Sequence, residues 1–215
     1  MQNRFKIGKF ITFEGIDGCG KSTQISKLKN FILEKNLKNI IFTREPGGVP
    51  QSEKIRKLLL TKKNDKLEKQ TEILLLLAAR NEHYKTLIRP ALLKKKIIIC
   101  DRFSHSTLAY QCYKDTELEI FYKKIHYMLL NNFKPDLSIL LDLDPKVAAE
   151  RIRKRSNNNF FDSKEERYFK QIRKKYLTLA KKDKNIKIFN ADISVNELFK
   201  RIKKMILEKI DAYNK

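Results

Sequence analysis

No segment constrains this chain more than Gly15-Ile-Asp-Gly-Cys-Gly-Lys-Ser22, which fits the pattern G-x-x-x-x-G-K-[ST]. An apolar, β-branched run, Phe10-Ile-Thr-Phe13, precedes it. Thr23 follows, and then Ile25, Leu28, Phe31 and Ile32 recur at helical spacing. A strand, a glycine-rich turn and a helix in that order make a cradle for phosphate. The glycines let the backbone curl so that successive N–H groups face phosphate oxygens. The helix start adds the positive end of its dipole. Lys21 can bridge the β- and γ-phosphates, and the Ser22 hydroxyl can ligate Mg2+. The candidate triphosphate-binding residues are therefore Gly15, Ile16, Asp17, Gly18, Cys19, Gly20, Lys21, Ser22 and Thr23. The motif implies a nucleoside triphosphate but leaves open whether it is hydrolysed or donates a phosphoryl group.

Four more short apolar runs read as strands: Ile40–Thr43, Ile97–Cys100, Ser138–Leu143 and Ile186–Phe189. Most have the near-continuous apolarity of strands covered on both faces. Helical patterns lie between them, at Ile55–Leu60, over a longer stretch from Ile73 to Leu93, and at Leu198–Lys209. Alternating strand and helix predict an α/β fold with a parallel sheet. There is no internal repeat and no Pro/Gly/Ser linker, so one domain over residues 1–215 is expected. Glu45-Pro-Gly-Gly-Val-Pro50 reads as a turn-rich loop, and Ser156-Asn-Asn-Asn159 interrupts a basic helical pattern.

A length of 215 residues is enough to bury a core. The longest apolar run, Ile73 to Ala79, is too short to span a bilayer, and the first residues lack an apolar secretory stretch. Cys19, Cys100 and Cys112 form no C-x-x-C pair, which fits a reducing cytoplasm better than a disulfide framework or a zinc site. His83, His105 and His126 lack metal-ligand spacing. Lys and Arg exceed Asp and Glu by 48 to 25, a formal charge of +23. Such an excess attracts polyanions. The Lys residues are scattered over the whole chain, however, which favours a compositional bias over a nucleic-acid surface.

The third strand ends in Asp101-Arg102. Ligands of open parallel sheets bind beyond the carboxyl ends of strands. A carboxylate there can hold Mg2+ or its water, and a guanidinium can grip a second phosphate. With this the sequence resembles the thymidylate kinase family. The residues that carry the resemblance are Phe13-Glu-Gly-Ile-Asp-Gly-Cys-Gly-Lys-Ser-Thr-Gln24, Thr43-Arg-Glu-Pro-Gly-Gly48, Ala78-Ala-Arg80, Asp101-Arg-Phe103, Ser106-Thr-Leu-Ala-Tyr-Gln111 and Pro135-Asp136. They follow the family's order and spacing from about Phe10 onward.

The resemblance implies a P-loop NTPase fold, three-layer α/β/α around a five-stranded parallel sheet. It implies transfer of the ATP γ-phosphate to dTMP with Mg2+, in a cytoplasmic homodimer that needs neither membrane nor nucleic acid. Lys21 and the Gly15–Ser22 loop would hold ATP, and Ser22 and Asp101 would serve the metal. Arg102 would grip the acceptor phosphate, and Arg56 would line its pocket. Arg80 would bond the thymine ring, with Ser106 and Thr107 on its other edge. Tyr110 would crowd the sugar, Gln111 would add a polar contact, and Asp17 would reach the 3′-OH or order solvent. Arg44 and Glu45 would hold the Pro-Gly-Gly loop.

Read without the family, Arg56 and Arg80 are ordinary helical arginines, Ser106 and Thr107 could cap a helix, Tyr110 could be a core aromatic, and Asp17 could be a turn residue. Two positions depart from the family pattern. Leu76 stands where an aromatic residue usually stacks on thymine. The expected mobile lid around residues 151–165 reads Asn157-Asn-Asn-Phe-Phe-Asp162 where an arginine is usual, which leaves Arg155 or Arg153 as the candidate lid arginine. Another nucleoside or nucleotide kinase and a basic phosphate-loop ATPase acting on nucleic acid are the competing functions.

Overall fold

Runs rich in Ile, Leu and Phe become strands because both their faces find apolar cover. The computed structural model describes residues 8–60, 67–156 and 163–214. Along the chain run β1 (Lys9–Glu14), α1 (Lys21–Glu34), β2 (Ile40–Arg44), α2 (Pro50–Leu60), α3 (Lys69–His83), α4 (Arg89–Leu93), β3 (Ile97–Asp101), α5 (Ser104–Tyr110), α6 (Thr116–Leu130), β4 (Leu137–Asp142), α7 (Pro145–Ser156), α8 (Ser163–Lys182), β5 (Ile186–Asn190) and α9 (Val195–Asn214). The five strands form one parallel sheet in the order β2-β3-β1-β4-β5. All five fall where the apolar runs predicted them. The inner strands β1, β3 and β4 are almost wholly buried, and the edge strands β2 and β5 only in part. Among the described residues no helix is long and apolar enough to cross a membrane.

The chain divides into two compact units. The first holds residues 1–12 and 39–136. In it β2 and β3 pair in register from Ile40 opposite Ile97 to Arg44 opposite Asp101, so both charged residues stand at strand carboxyl ends. Its core gathers Phe10, Ile88, Leu92, Ile98, Phe103 and Leu130. The Phe10 ring meets Phe103 edge-on at 4.8 Å and stacks on Phe133 at 5.3 Å. The Asp136 carboxylate accepts the Phe10 N–H at 2.8 Å and pairs with the Lys9 ammonium at 3.2 Å. Asp115 caps α6 by accepting the Leu118 N–H at 2.9 Å, as an N-cap carboxylate should.

The second unit holds residues 13–38 and 137–215. There β4 and β5 pair in parallel from Ser138 opposite Ile186 to Asp142 opposite Asn190. Leu28 of α1, Ile172 of α8 and Leu198, Ile202 and Ile206 of α9 are buried at helical spacing. Arg173 of α8 makes a two-pronged bond to Asp142 at 2.7 and 2.9 Å. Those bonds hold its guanidinium above the usual arginine pKa against the opposing effect of burial.

One expected helix is divided. The pattern from Ile73 to Leu93 predicts a single helix, but Tyr84–Ile88 forms a wider π turn between α3 and α4. Pro90 supplies the reason. It has no N–H to give to residue 86, and its ring presses on that carbonyl. The Arg89 N–H reaches back five residues to the Tyr84 carbonyl instead. The expected break at Ser156 coincides with the last residue of α7, while 157–159 lie outside the described residues.

Phe10 is fully buried against the rings of Phe103 and Phe133. Replacing it with alanine should cost about 3–5 kcal/mol in urea unfolding. A loss under about 1 kcal/mol would show that the cavity collapses and that Phe10 is not central to this core.

Candidate active site

The phosphate loop begins where β1 ends, and Lys21 opens α1. Gly15 has φ +137° and Gly18 φ +79°, both in the region open chiefly to glycine. A Cβ would lie 2.6 Å from the Leu141 carbonyl oxygen at Gly15, and 2.5 Å from that of Ala148 at Gly18. Neither position has room for any side chain. Lys21 is buried, and its ammonium donates to the carbonyls of Gly15 at 2.9 Å and Ile16 at 3.0 Å. The Cys19 Sγ lies 3.7 Å from the same nitrogen. Asp17 and Ser22 are exposed, Gly18, Gly20 and Thr23 are partly covered, and Ile16 and Cys19 are buried. The loop is thus a rigid ring of main chain with one ammonium fixed over it.

Beside it runs a cleft lined by Gly18, Gly20, Thr23, Arg151, Ala191 and Val195. The Arg151 guanidinium donates both its Nη groups to the Ala191 carbonyl at 3.4 Å. The sequence reading missed this segment after β5, because nothing in Ala191–Val195 has a motif. Arg151 is brought there by the helical path of α7.

In the first unit, arginines collect at the carboxyl ends of β2 and β3. Arg102 follows β3 with φ +69°, a left-handed conformation that costs a non-glycine residue roughly 1–2 kcal/mol. Its Nη groups donate to the Ser106 hydroxyl at 3.2 Å and the Tyr110 hydroxyl at 3.3 Å, and its Cζ lies 4.9 Å from the Tyr110 ring centre. Arg56 of α2 donates to the Pro46 carbonyl at 2.8 Å. Burial, and then the charge of Arg44, hold the Arg56 guanidinium below the usual arginine pKa; Glu53 and Asp101 pull it up, and Arg102 adds to the repulsion. Arg44 pairs with Glu53 at 3.1 Å, and Glu53 also accepts the Gly48 N–H at 2.8 Å. Those two bonds, Arg44 first, hold the Glu53 carboxyl below its ordinary value.

Behind the arginines lies a buried polar network. Arg80 is 3 % exposed and donates Nε–H to Glu45 at 2.6 Å, Nη1–H to Tyr122 at 2.9 Å and Nη2–H to Thr107 at 2.9 Å. Its Cζ sits 4.9 Å from the Phe103 ring centre. Glu45 also takes a bond from His83 Nδ1 at 3.1 Å, and His83 Nε2 lies 2.7 Å from the Thr43 hydroxyl. Burial alone would raise the Glu45 pKa. The charge of Arg80 and the bond from His83 outweigh it and hold the carboxyl below its ordinary range. Next to the network, burial and then the Arg80 charge push His126 down to about 4, and its Nε2 is buried with no hydrogen-bond partner.

The candidate acceptor residues therefore fall into two sets. Arg56, Arg102, Ser106, Tyr110 and Asp101 sit around the strand ends, where one Asp101 carboxylate oxygen is buried without a hydrogen-bond partner. Arg80 and Thr107 bond each other inside. Ser106 and Thr107 cap nothing; they lie within α5, whose N-cap is Phe103. Gln111 donates to Glu72 at 2.8 Å. Leu76 is half-buried on α3, four residues before Arg80 and so on the same face. Arg153 is exposed on α7, and the Arg155 side chain and Asn157–Asp162 lie outside the described residues. The sequence reading also missed Glu53, His83 and Tyr122. His83 could have been found as a polar residue on the apolar face of α3, one turn beyond Arg80.

The glycine-framed loop with its buried ammonium, and the guanidiniums at the strand ends, are each suited chemically to an anion. That pairing, on a parallel sheet, is the mark of a phosphate-loop nucleotide kinase. Comparison with known proteins makes the assignment specific. The family profile "Thymidylate kinase" matches residues 13–202. A thymidylate kinase of Buchnera aphidicola subsp. Baizongia pistaciae is 38% identical over 208 residues, which is 96% of this chain and 98% of that protein. One of Mycoplasmoides gallisepticum is 40% identical over 202 residues, 94% and 95% of the two chains. The crystal structure of thymidylate kinase from Ehrlichia chaffeensis superposes with a TM-score of 0.74 at 31% identity, covering 93% of this chain and 98% of that one. This chain belongs to the thymidylate kinase family.

His126 gives a pH test. The unfolded chain takes up a proton near pH 6.5 that the folded chain refuses until about pH 4, so stability should fall as pH drops through that range. His126→Phe should flatten the urea midpoint across those values. An unchanged slope would show that His126 does not titrate as its burial requires.

Proposed function

We propose that this chain phosphorylates dTMP to dTDP with ATP, supplying dTTP synthesis. Family membership supports the reaction. The observation that carries the assignment to residues is the gathering of Arg44, Arg56 and Arg102 at the strand ends, where burial first, and then the charges of Arg44 and Arg102, depress Arg56. A phosphate monoester relieves that repulsion, and so the cluster favours binding an anion of about two charges.

In this reading Lys21 and the Gly15–Ser22 amides hold the ATP phosphates, and Arg102 with Arg56 holds the acceptor phosphate. Thr107 and Arg80 serve the thymine side, with Ser106 and Gln111 as further polar contacts. Tyr110 crowds the sugar, and Asp17 reaches the nucleotide or its solvent. An acceptor phosphate oxygen, already ionised near neutral pH, attacks the γ-phosphorus. The O–P bond forms as the bond to the β,γ-bridging oxygen breaks, and that electron pair leaves with ADP. No protein nucleophile is required. The protein's work is to hold two anions in line and to offset charge with fixed cations.

Mg2+ fits the donor set. Asp101 would serve as a hard ligand through its buried oxygen, which has no hydrogen-bond partner, and the exposed Ser22 hydroxyl would serve likewise. No group of three or more His, Cys, Asp or Glu that could hold a metal ion by itself occurs among the described residues. That suits an ion bound mostly by substrate phosphates and water. When bound, the ion neutralises charge on the transferring phosphoryl group. A lid around residues 151–165 would add Arg153 or Arg155 and exclude water. Ile120, Tyr127 and Met128 are exposed along α6, which supports a homodimer through that face. The three buried free cysteines support a cytoplasmic enzyme.

ADP release measured with dTMP, dUMP, UMP, dCMP and AMP should be fastest with dTMP and poor with ribonucleotides. Equal rates across the panel would remove thymidylate as the acceptor. Leu76 lacks the stacking energy of an aromatic ring, roughly 1 kcal/mol. Leu76→Phe should therefore tighten dTMP binding about fivefold by calorimetry. Unchanged or weaker binding would place position 76 away from the base.

A further inference from the structure

We infer that His83 is a positioning residue for the acceptor side, that it acts through the Glu45–Gly48 loop, and that its Nδ1–H is the operative group; this rests on reading Arg56 and Arg80 as part of the dTMP site. His83 is fully buried and ends α3, three residues after Arg80. That spacing puts both on one helix face. The Glu45 carboxylate spans the pair. One oxygen takes the Arg80 Nε–H at 2.6 Å, and the other lies 3.1 Å from His83 Nδ1. An ionised carboxylate can only accept, so Nδ1 carries the proton. In the neutral ring Nε2 then accepts from the Thr43 hydroxyl, 2.7 Å away.

The far end of the loop rests on the same ring. A Cβ at Gly48 would come 2.6 Å from His83 Nε2 and as close to the Thr43 hydroxyl oxygen, so the Gly48 backbone lies directly on the Thr43–His83 pair. Between these two points of support the Pro46 carbonyl accepts from Arg56 at 2.8 Å. His83 thus fixes Glu45, which aims Arg80, and seats the stretch whose carbonyl aims Arg56. Without Nδ1–H the Glu45 carboxylate keeps one buried oxygen unpaired and can rotate. Both guanidiniums then lose a fixed acceptor. The effect falls on acceptor binding and leaves the phosphate loop alone.

The test compares His83→Asn, His83→Gln and His83→Leu by steady-state kinetics with dTMP and ATP varied separately. An asparagine amide nitrogen reaches about the position of Nδ1, and a glutamine nitrogen about that of Nε2. The Leu and Gln variants should raise the dTMP KM by about tenfold, the cost of one charge-assisted hydrogen bond. The Asn variant should stay within about threefold of the parent, and all three should keep the ATP KM and kcat within about threefold. A Leu variant with the parent's dTMP KM would overturn the inference, and so would an Asn variant as impaired as Leu, or a fall in kcat with both KM values unchanged. If the variants do not fold, nitrogen-15 NMR of the unaltered protein decides: a neutral His83 ring protonated on Nε2 overturns the assignment, and one protonated on Nδ1 supports it. Absence of dTMP phosphorylation by the parent protein would instead remove the underlying functional reading, and the tautomer result would still stand.

Discussion

Guanidinium groups repel one another, and the first unit is organised around keeping three of them together. Arg44 ends β2, Arg102 follows β3, and Arg56 reaches in from α2. Each has a fixed partner, but the partners are unequal. Arg44 has a full counter-charge in Glu53. Arg56 bonds a neutral carbonyl, and Arg102 bonds two hydroxyls and faces an aromatic ring. Neutral partners hold a guanidinium in place without cancelling its field.

The carboxylate that does lie deep in this unit, Glu45, is committed to Arg80 instead. A buried ion pair gains little net stability, because desolvation offsets most of the attraction. Its value here is geometric. Glu45 and Arg80 are so fully bonded, to His83, Tyr122 and Thr107, that neither has another orientation to adopt. The second unit meets the same need differently. Its glycine-rich loop takes its path from glycine torsions, with the Lys21 ammonium fixed over it. Dipoles built into the backbone need no counter-ion to stay in place.

Much of this was legible in the sequence, for physical reasons that differ by residue. The phosphate loop is local: seven intervals of chain contain the turn, the ammonium and the hydroxyl, so the motif alone specifies it. The inner strands were clear because burial on both faces forces continuous apolarity. The π turn was hidden, since Pro90 does not disturb the periodicity of Ile88, Ala91 and Leu92. The polar network was hidden more deeply. Arg80 finds Glu45 and Tyr122 at separations of 35 and 42 residues, and no short pattern encodes such pairings. There was one overlooked cue. Ile73 and Leu77, both buried, lie seven and three residues before Arg80, which already places its side chain on the inward face of α3.

The left-handed backbone at Arg102 sets two demands on one position against each other. The turn is needed to bring the chain from β3 into α5, and glycine would adopt it without strain. Glycine has no side chain to meet a phosphate. In the proposed reading, where Arg102 holds the acceptor phosphate, an unstrained turn and a working acceptor site therefore pull residue 102 in opposite directions.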